Sequence, residues 1–219
     1  MVSEIGYQLF PTYRRGSETR DDIDRRIQLV QSHMEGHTPY KGMIKNVGEP
    51  RMAQGPYVDR IALQLPRARF LDIGCALGEN VQYALFRGAH VAKGVTTDPR
   101  ELAWGQELYG PNSCELMDGT ALTYDDHFFD IVHARSVIHT LGSREKAERM
   151  VQEASRVLAH GGVFIGQTHT TGTRPGKRLY IASEHEFQGI LSDADFTCFE
   201  TQIPHPTSED PLLYFHAVR

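Results

Sequence analysis

The sequence of 219 residues contains few cysteines and no long apolar run. Its three cysteines (Cys75, Cys114 and Cys198) form no Cys-x-x-Cys pair, which argues against a zinc finger or a disulfide framework. No apolar stretch approaches the roughly 20 residues that a bilayer-crossing helix needs. The N-terminus also lacks the basic and apolar regions of a secretory signal. We therefore expect a cytoplasmic protein without a membrane contact and without a metal site.

An excess of positive charge is absent as well. With 23 Lys and Arg against 28 Asp and Glu, the formal net charge is −5, so we expect no nucleic-acid partner. Arg25 and Arg26 alternate with acidic residues, a pattern typical of solvated charge. Repeats and low-complexity segments are missing, and nothing in the sequence indicates an oligomeric state. The remaining composition, 40% hydrophobic and 23% charged, is typical of a globular domain.

Predicted strands and helices alternate regularly from about residue 49 onward. Residues 1–48 are polar and contain one amphipathic helix (21–34), so we expect a cap or lid segment on a single domain formed by residues 49–219. Within this domain, predicted strands occupy residues 69–73, 90–95, 113–117, 128–133, 163–167, 196–202 and 212–218. The alternation predicts a doubly wound α/β sheet, and the last two strands predict a hairpin with one antiparallel strand.

Helix boundaries are marked by capping residues and glycines. Asp98-Pro-Arg-Glu101 is a typical helix start, with Asp at the N-cap, Pro at N1 and Glu at N3. Ser143 is predicted to begin a long amphipathic helix that Gly161-Gly162 would end, and Ser183 to begin another helix.

The most informative segment is Phe70-Leu-Asp-Ile-Gly-Cys-Ala-Leu-Gly78. A short apolar strand ends near Asp72, and a loop of small residues then leads into a helix. In such an arrangement, backbone N–H groups of the loop and of the helix N-terminus face a ligand. Cys75 is expected to be a small apolar filler within this loop.

Five segments in this order resemble the class I S-adenosylmethionine-dependent methyltransferases, from about Met52 to the end of the chain. They are Leu71-Asp-Ile-Gly-Cys-Ala-Leu-Gly78, Gly94-Val-Thr-Thr-Asp98, Met117-Asp-Gly-Thr-Ala-Leu122, Phe129-Asp-Ile-Val-His-Ala-Arg-Ser-Val-Ile-His139 and Arg156-Val-Leu-Ala-His-Gly-Gly162. The resemblance implies a seven-stranded sheet of order 3-2-1-4-5-7-6, with strand 7 antiparallel. It also implies that S-adenosyl-L-methionine lies across the carboxyl ends of strands 1–4 and leaves as S-adenosyl-L-homocysteine.

The resemblance further implies roles for individual residues. Gly74, Ala76 and Gly78 would line the methionine part of the cofactor, and Asp72 would hold the loop or the cofactor's amino group. Asp118 would accept a hydrogen bond from the adenine amino group, beside the backbone of Gly119. Residues 134–136, including Arg135, would line the methionine and the transferring methyl group.

Two positions depart from the family pattern. Ala76 stands where the family usually has glycine, which would be compatible with cofactor binding if its φ is negative. Thr96 stands where the family usually has the acidic residue that binds the ribose, and it could offer the ribose one hydroxyl in place of a carboxylate. Asp98, two residues further on, could bind the ribose instead or could simply cap the following helix, and both interpretations remain open.

Two histidines are candidate general bases. His139 follows the fourth predicted strand and His169 follows the fifth, so both belong to the edge of the sheet where the acceptor would bind. The alternative for each is a packing or loop role.

The sequence thus predicts methyl transfer to an oxygen or nitrogen atom of a small molecule. Ala76 and Thr96 also allow an inactive methyltransferase-fold scaffold. A nicotinamide-dependent oxidoreductase is disfavoured, because Gly74-x-x-x-Gly78 is not the Gly-x-Gly-x-x-Gly spacing of that class.

Overall fold

The computed structural model describes residues 19–35, 61–111, 114–170, 181, 183–202 and 212–219. The helices are α1 (Arg20–Glu35), α2 (Glu79–Phe86), α3 (Pro99–Tyr109), α4 (Arg144–Val157) and α5 (Glu184–Asp193), with a short 3₁₀ helix at Ile138–Thr140. The strands are β1 (Arg69–Ile73), β2 (Val91–Thr96), β3 (Glu115–Leu116), β4 (Phe129–Arg135), β5 (Leu158–Thr168), β6 (Cys198–Gln202) and β7 (Leu213–Val218).

The seven strands form one sheet in the order β3-β2-β1-β4-β5-β7-β6. Strands β1 to β5 pair in parallel, whereas β7 runs antiparallel to both β5 and β6. The predicted strand order and the antiparallel seventh strand are therefore confirmed. Because the chain order reverses between β1 and β4, a crevice is expected at the carboxyl ends of these two strands.

The sheet is buried on both faces. Phe70 belongs to one apolar cluster, whereas its neighbour Leu71 belongs to a second and larger one. Side chains alternate between faces along a strand, so the two clusters lie on opposite sides of the sheet. None of the helices in the described part of the chain is long and apolar enough to cross a membrane.

The predicted capping residues begin their helices as expected. The side chain of Asp98 accepts a hydrogen bond from the backbone N–H of Arg100 (2.8 Å), and Ser143 and Ser183 accept from backbone N–H groups three residues later. Such caps typically contribute about 1 kcal/mol each. The N-cap interpretation of Asp98 thus describes its geometry.

The predicted end of the long helix at Gly161-Gly162 is wrong. Helix α4 already ends at Val157, and both glycines belong to β5, which begins at Leu158. The backbone groups of this segment are used by the sheet: Gly161 N–H donates to Arg219 O (2.8 Å), and Arg219 N–H donates to Gly162 O (3.1 Å). Pairing with the end of the chain therefore extends the strand backward through the glycines.

Helix α1 packs against α3 through a buried arginine. Arg26 is only 7% exposed, and its Nη1 donates to the carbonyl oxygens of Glu107 and Leu108 at 2.8 Å each. The expectation of solvated charge is therefore wrong for Arg26, because its cation binds the carbonyls at the C-terminal end of α3, where positive charge is favoured. The predicted boundary between residues 48 and 49 lies outside the described residues and stays a prediction.

Candidate active site

A cavity of about 420 Å³ lies at the carboxyl ends of β1, β2 and β4. Seven of the residues predicted from the sequence to contact the cofactor line it: Gly74, Thr96, Asp98, Asp118, Gly119, Arg135 and Ser136. Its remaining wall includes Thr140, Lys146 and Met150, from the 3₁₀ helix and α4. The volume is within the usual range for small-molecule sites, and the position is the one expected for a ligand of an open α/β sheet.

The loop after β1 has a tightly constrained backbone. Gly74 and Gly78 have φ of +72° and +93°, and Ala76 has φ of +50°. The condition of a negative φ, under which Ala76 would be compatible with cofactor binding, is therefore not met: alanine takes the left-handed conformation at a cost of roughly 1–2 kcal/mol. The loop holds this shape because the N–H groups of Gly74 and Cys75 both donate to Val95 O, at 2.9 and 3.0 Å.

Asp72 lies beneath this loop, outside the cavity lining. It is 1% exposed; its Oδ1 contacts Nδ1 of the equally buried His133 at 2.7 Å, and its Oδ2 accepts a hydrogen bond from Asn80 at 3.0 Å. These contacts link β1 to β4 and to the start of α2. Asp72 therefore holds together the strand before the loop and the helix after it, and Ala76 and Gly78 belong to the loop without lining the cavity.

Asp118 and Gly119 follow β3 and close another side of the cavity. Oδ1 of Asp118 accepts hydrogen bonds from both the backbone N–H and the hydroxyl of Thr120, each at 2.8 Å. The backbone N–H of Thr120 is the main cause of a lowered pKa at Asp118, so this group is a carboxylate at neutral pH. A Cβ atom on Gly119 would lie 2.4 Å from Ile73 Cγ2, so the turn approaches β1 too closely for a side chain.

A second carboxylate, that of Glu101, contacts the end of β2 from the first turn of α3. Its sequence position predicts only a place in the helix start. Glu101 lines the cavity, and its Oε2 accepts a hydrogen bond from the hydroxyl of Thr96. A capping-box glutamate would instead turn back to the N-cap backbone. Asp98 also lines the cavity, but its carboxylate binds the guanidinium of Arg100 through both oxygens, at 3.1 and 2.6 Å.

The end of β4 and the residue after it form another part of the cavity wall, and Arg135, the last residue of β4, brings positive charge to it. Arg135 is exposed and lines the cavity. The next residue, Ser136, has φ of +56° and is held by β5, because its N–H donates to Gln167 O (2.8 Å) and its hydroxyl accepts from the Gln167 amide (3.1 Å). Burial raises the pKa of nearby Glu79 to about 7, an effect that the charge of Arg135 opposes.

The two candidate bases contact each other. The imidazole rings of His139 and His169 are 4.6 Å apart between centroids, and the backbone N–H of His169 donates to His139 Nδ1 at 3.3 Å. His169 is only 4% exposed. Neither lines the 420 Å³ cavity, and residues 171–180, which follow His169, lie outside the described part. Their catalytic role stays a prediction.

Sequence reasoning missed two charged residues in the cavity wall. The position of Glu101 could have been predicted, because Asp98-Pro-Arg-Glu101 places it in the helical turn that follows β2. The position of Lys146 could not, since only the docking of α4 brings it to the cavity. Within the described ranges, no group of three His, Cys, Asp or Glu side chains could hold a metal ion.

Comparisons with known proteins agree with this geometry. Residues 71–166 match a family model described as a methyltransferase domain. A mouse protein named "Probable tRNA methyltransferase 9B" is 26% identical over 152 residues, which cover 65% of this chain and 30% of the mouse protein. A protein of Encephalitozoon cuniculi named as a methyltransferase is 30% identical over 120 residues, which cover 53% of this chain and 54% of that protein. The chain thus spans about a third and about half of these relatives.

A solved structure has the same fold. The S-adenosylmethionine-dependent methyltransferase from Mesorhizobium loti superposes with a TM-score of 0.62 at 17% identity, over 73% of this chain and 95% of that one. At this level of identity the similarity extends to the fold alone.

Proposed function

We propose that the chain, as a member of the class I S-adenosylmethionine-dependent methyltransferases, transfers a methyl group from S-adenosyl-L-methionine to an oxygen or nitrogen atom of a small-molecule acceptor. The observation that carries the proposal is the 420 Å³ cavity at the carboxyl ends of β1, β2 and β4. Its wall combines close-approach glycines with carboxylates (Asp98, Glu101 and Asp118) and cations (Arg135 and Lys146), a chemistry that suits a nucleoside joined to an amino acid.

The residues of the cavity divide among the parts of such a ligand. Asp118, an oriented carboxylate, would accept a hydrogen bond from the adenine amino group, and the backbone of Gly119 would contact the ring. Gly74 and its loop would approach the methionine portion without a side chain in between. Arg135 would pair with the methionine carboxylate, since it is the cation at the end of β4 in the cavity wall.

When bound, S-adenosyl-L-methionine supplies an electrophilic methyl group on a positively charged sulfur. The task of the chain is then orientation, because alignment of the reacting atoms can supply much of the rate. His139 and His169 would hold or accept the proton of the acceptor. Their mutual contact at the ends of β4 and β5 supports assigning them together to the acceptor side.

A second candidate, a scaffold subunit that has lost the reaction, is favoured by Thr96 and by the strained Ala76. It is weakened by the presence of another cavity-lining carboxylate, Glu101, beside Thr96. A transfer RNA acceptor would follow from the mouse relative's name, but the net charge of −5 gives little general attraction to RNA. We keep the small-molecule acceptor and a cytoplasmic location as parts of the proposal.

Binding of S-adenosyl-L-homocysteine, measured by calorimetry on the full chain with NAD as the comparison ligand, tests the cofactor assignment. We expect saturable binding of the first ligand and none of NAD. Asp118→Ala should weaken the binding about 10-fold or more, since a hydrogen bond to a charged group contributes about 1.5–3 kcal/mol. Asp193→Ala, on the exposed end of α5, is the matched control. Absence of binding to the unaltered protein would favour the scaffold.

The acceptor requires a separate measurement. Incubation with cofactor carrying a labelled methyl group should label small-molecule fractions that contain hydroxyl or amine groups. Label found in transfer RNA instead would replace the small-molecule proposal.

A further inference from the structure

Thr96 ends β2 at the position where the family resemblance implies an acidic residue, and its side chain contacts Glu101 in the first turn of α3. Thr96, at the last position of β2, is 4% exposed and cannot provide a charged acceptor. Its hydroxyl is instead hydrogen-bonded within the protein. It accepts a hydrogen bond from the backbone N–H of Asp98 at 3.2 Å and donates one to Oε2 of Glu101. The hydroxyl therefore fixes the position of a carboxylate that comes from the first turn of α3.

Asp98 is less suited to this role. Its Oδ1 accepts both the backbone N–H and the Nε of Arg100, and its Oδ2 accepts the Nη2 of the same side chain at 2.6 Å. Both carboxylate oxygens are therefore engaged with the start of α3. A ligand hydroxyl would have to compete with a bidentate arginine contact, which is among the stronger hydrogen-bond arrangements.

Close packing of α3 against the loop after β1 brings Glu101 to the cavity. Gly105 lies one helical turn beyond Glu101, and a Cβ atom there would be 2.6 Å from Leu77 O. The helix can approach the loop this closely only because residue 105 has no side chain. Its first turn consequently reaches the cavity wall, where Glu101 is a lining residue.

We propose that Glu101, held in place by Thr96, is the acceptor for the two ribose hydroxyls of the nucleoside ligand. This inference rests on the proposed function. A carboxylate has lone pairs enough to accept from Thr96 and from both hydroxyls of a vicinal diol. Thr96 is then a positioning residue that acts through Glu101, and the glutamate replaces an acid on the strand by one on the helix.

The test compares two ligands, S-adenosyl-L-homocysteine and its 2′,3′-dideoxy analogue, by calorimetry. Glu101→Gln should weaken binding of the first about 10- to 100-fold. It should change binding of the analogue, which has no hydroxyls to donate, by less than about 2-fold. Thr96→Val keeps the shape but removes the hydroxyl, and should weaken only the hydroxylated ligand, by a smaller factor.

Glu107→Gln is the matched control, because Glu107 is on the same helix but does not line the cavity. Thermal unfolding of each variant checks that the fold is intact. Equal losses for both ligands would assign Glu101 a structural role and overturn the inference, as would a selective loss in Asp98→Asn but not in Glu101→Gln. If the unaltered protein binds neither ligand, the proposed function itself fails, so the two failures are distinguishable.

Discussion

Two ionisable pairs join the same two strands, and the difference in their burial leads to a quantitative prediction. Asp72 and His133 meet at the carboxyl ends of β1 and β4, with both side chains no more than 1% exposed. Arg69 and Asp130 meet at the amino ends, with the side chains 33% and 40% exposed. Because strand pairing and sequence separation are the same, substitutions in the two pairs compare a buried contact with a half-exposed one.

Asp72→Ala should destabilise the protein by about 3–4 kcal/mol. The change removes the acceptor of the 2.7 Å contact to His133 and of the 3.0 Å hydrogen bond from Asn80. A buried group left without its partner costs about 1–3 kcal/mol, and breaking a buried pair costs about 3–5 kcal/mol. Asp72→Asn retains an acceptor for His133 and should cost only about 1 kcal/mol. Asp130→Ala should also cost about 1 kcal/mol or less, since water can replace an exposed partner.

Urea unfolding followed by circular dichroism measures these differences as shifts of the midpoint at constant slope. Because Asp72 also links β1 to Asn80 at the start of α2, the two elements that flank the loop, we expect Asp72→Ala to weaken S-adenosyl-L-homocysteine binding as well, whereas Asp130→Ala should not. A cost for Asp72→Ala no larger than that for Asp130→Ala would refute the reasoning. It would mean that burial of the pair contributes nothing beyond a surface contact.

Three other perturbations test the backbone and the electrostatics of the site. Gly166→Ala should lower the free energy of unfolding in urea by about 3 kcal/mol or more, because the added Cβ would lie 2.0 Å from the Ala134 carbonyl oxygen. At Gly189 an added Cβ has no atom within 4 Å, so Gly189→Ala should stabilise the protein slightly. Equal effects of the two substitutions would contradict the close approach at Gly166. Ala76→Gly should raise the free energy of unfolding by about 0.5–1 kcal/mol in the same assay, because the relief of left-handed strain exceeds the entropy that glycine adds to the unfolded chain. A loss of stability would argue against the φ of +50° at Ala76. Burial raises the pKa of Glu79 from 4.5 to about 7, so the folded state holds a proton that the unfolded chain releases above pH 4.5. Stability should fall as pH rises from about 4.5 to about 7 and should then level off. Glu79→Gln should match the unaltered protein near pH 4.5 and exceed it above pH 7, and parallel pH profiles would exclude Glu79 as the cause.

Most of the fold could be predicted because its signals are local. The strand at Arg69–Ile73 was predicted with its observed bounds, since an apolar run between a proline and a glycine-rich loop is typical of a buried strand. The caps at Asp98, Ser143 and Ser183 depend on side chains that bond to their own helix. The predicted helix end at Gly161-Gly162 is wrong because this segment pairs with a residue far away in the sequence, Arg219. A local sequence pattern does not contain such a partner.

The site was predictable where a strand leads directly into it. Gly74 and Asp118 follow β1 and β3, and Arg135 is the last residue of β4, so strand order alone brings them to one edge of the sheet. Glu101 and Lys146 reach the same cavity from helices, and their positions depend on how α3 and α4 dock. For Glu101 the docking is set by the contact of Gly105 with Leu77, which only the folded structure contains.

Two residues near the cavity, Ala76 and Ser136, have a backbone conformation that depends on long-range contacts and not on their local sequence. Left-handed backbone at Ala76 and Ser136 breaks a local rule, and both residues lie in segments that follow strands into the cavity. Each is held by hydrogen bonds from a neighbouring strand: the Ala76 loop by Val95 O, and Ser136 by Gln167. Strain persists where surrounding structure over-determines a conformation, and such positions concentrate at functional sites. The sheet therefore imposes on these two loops a shape that their own residues do not favour.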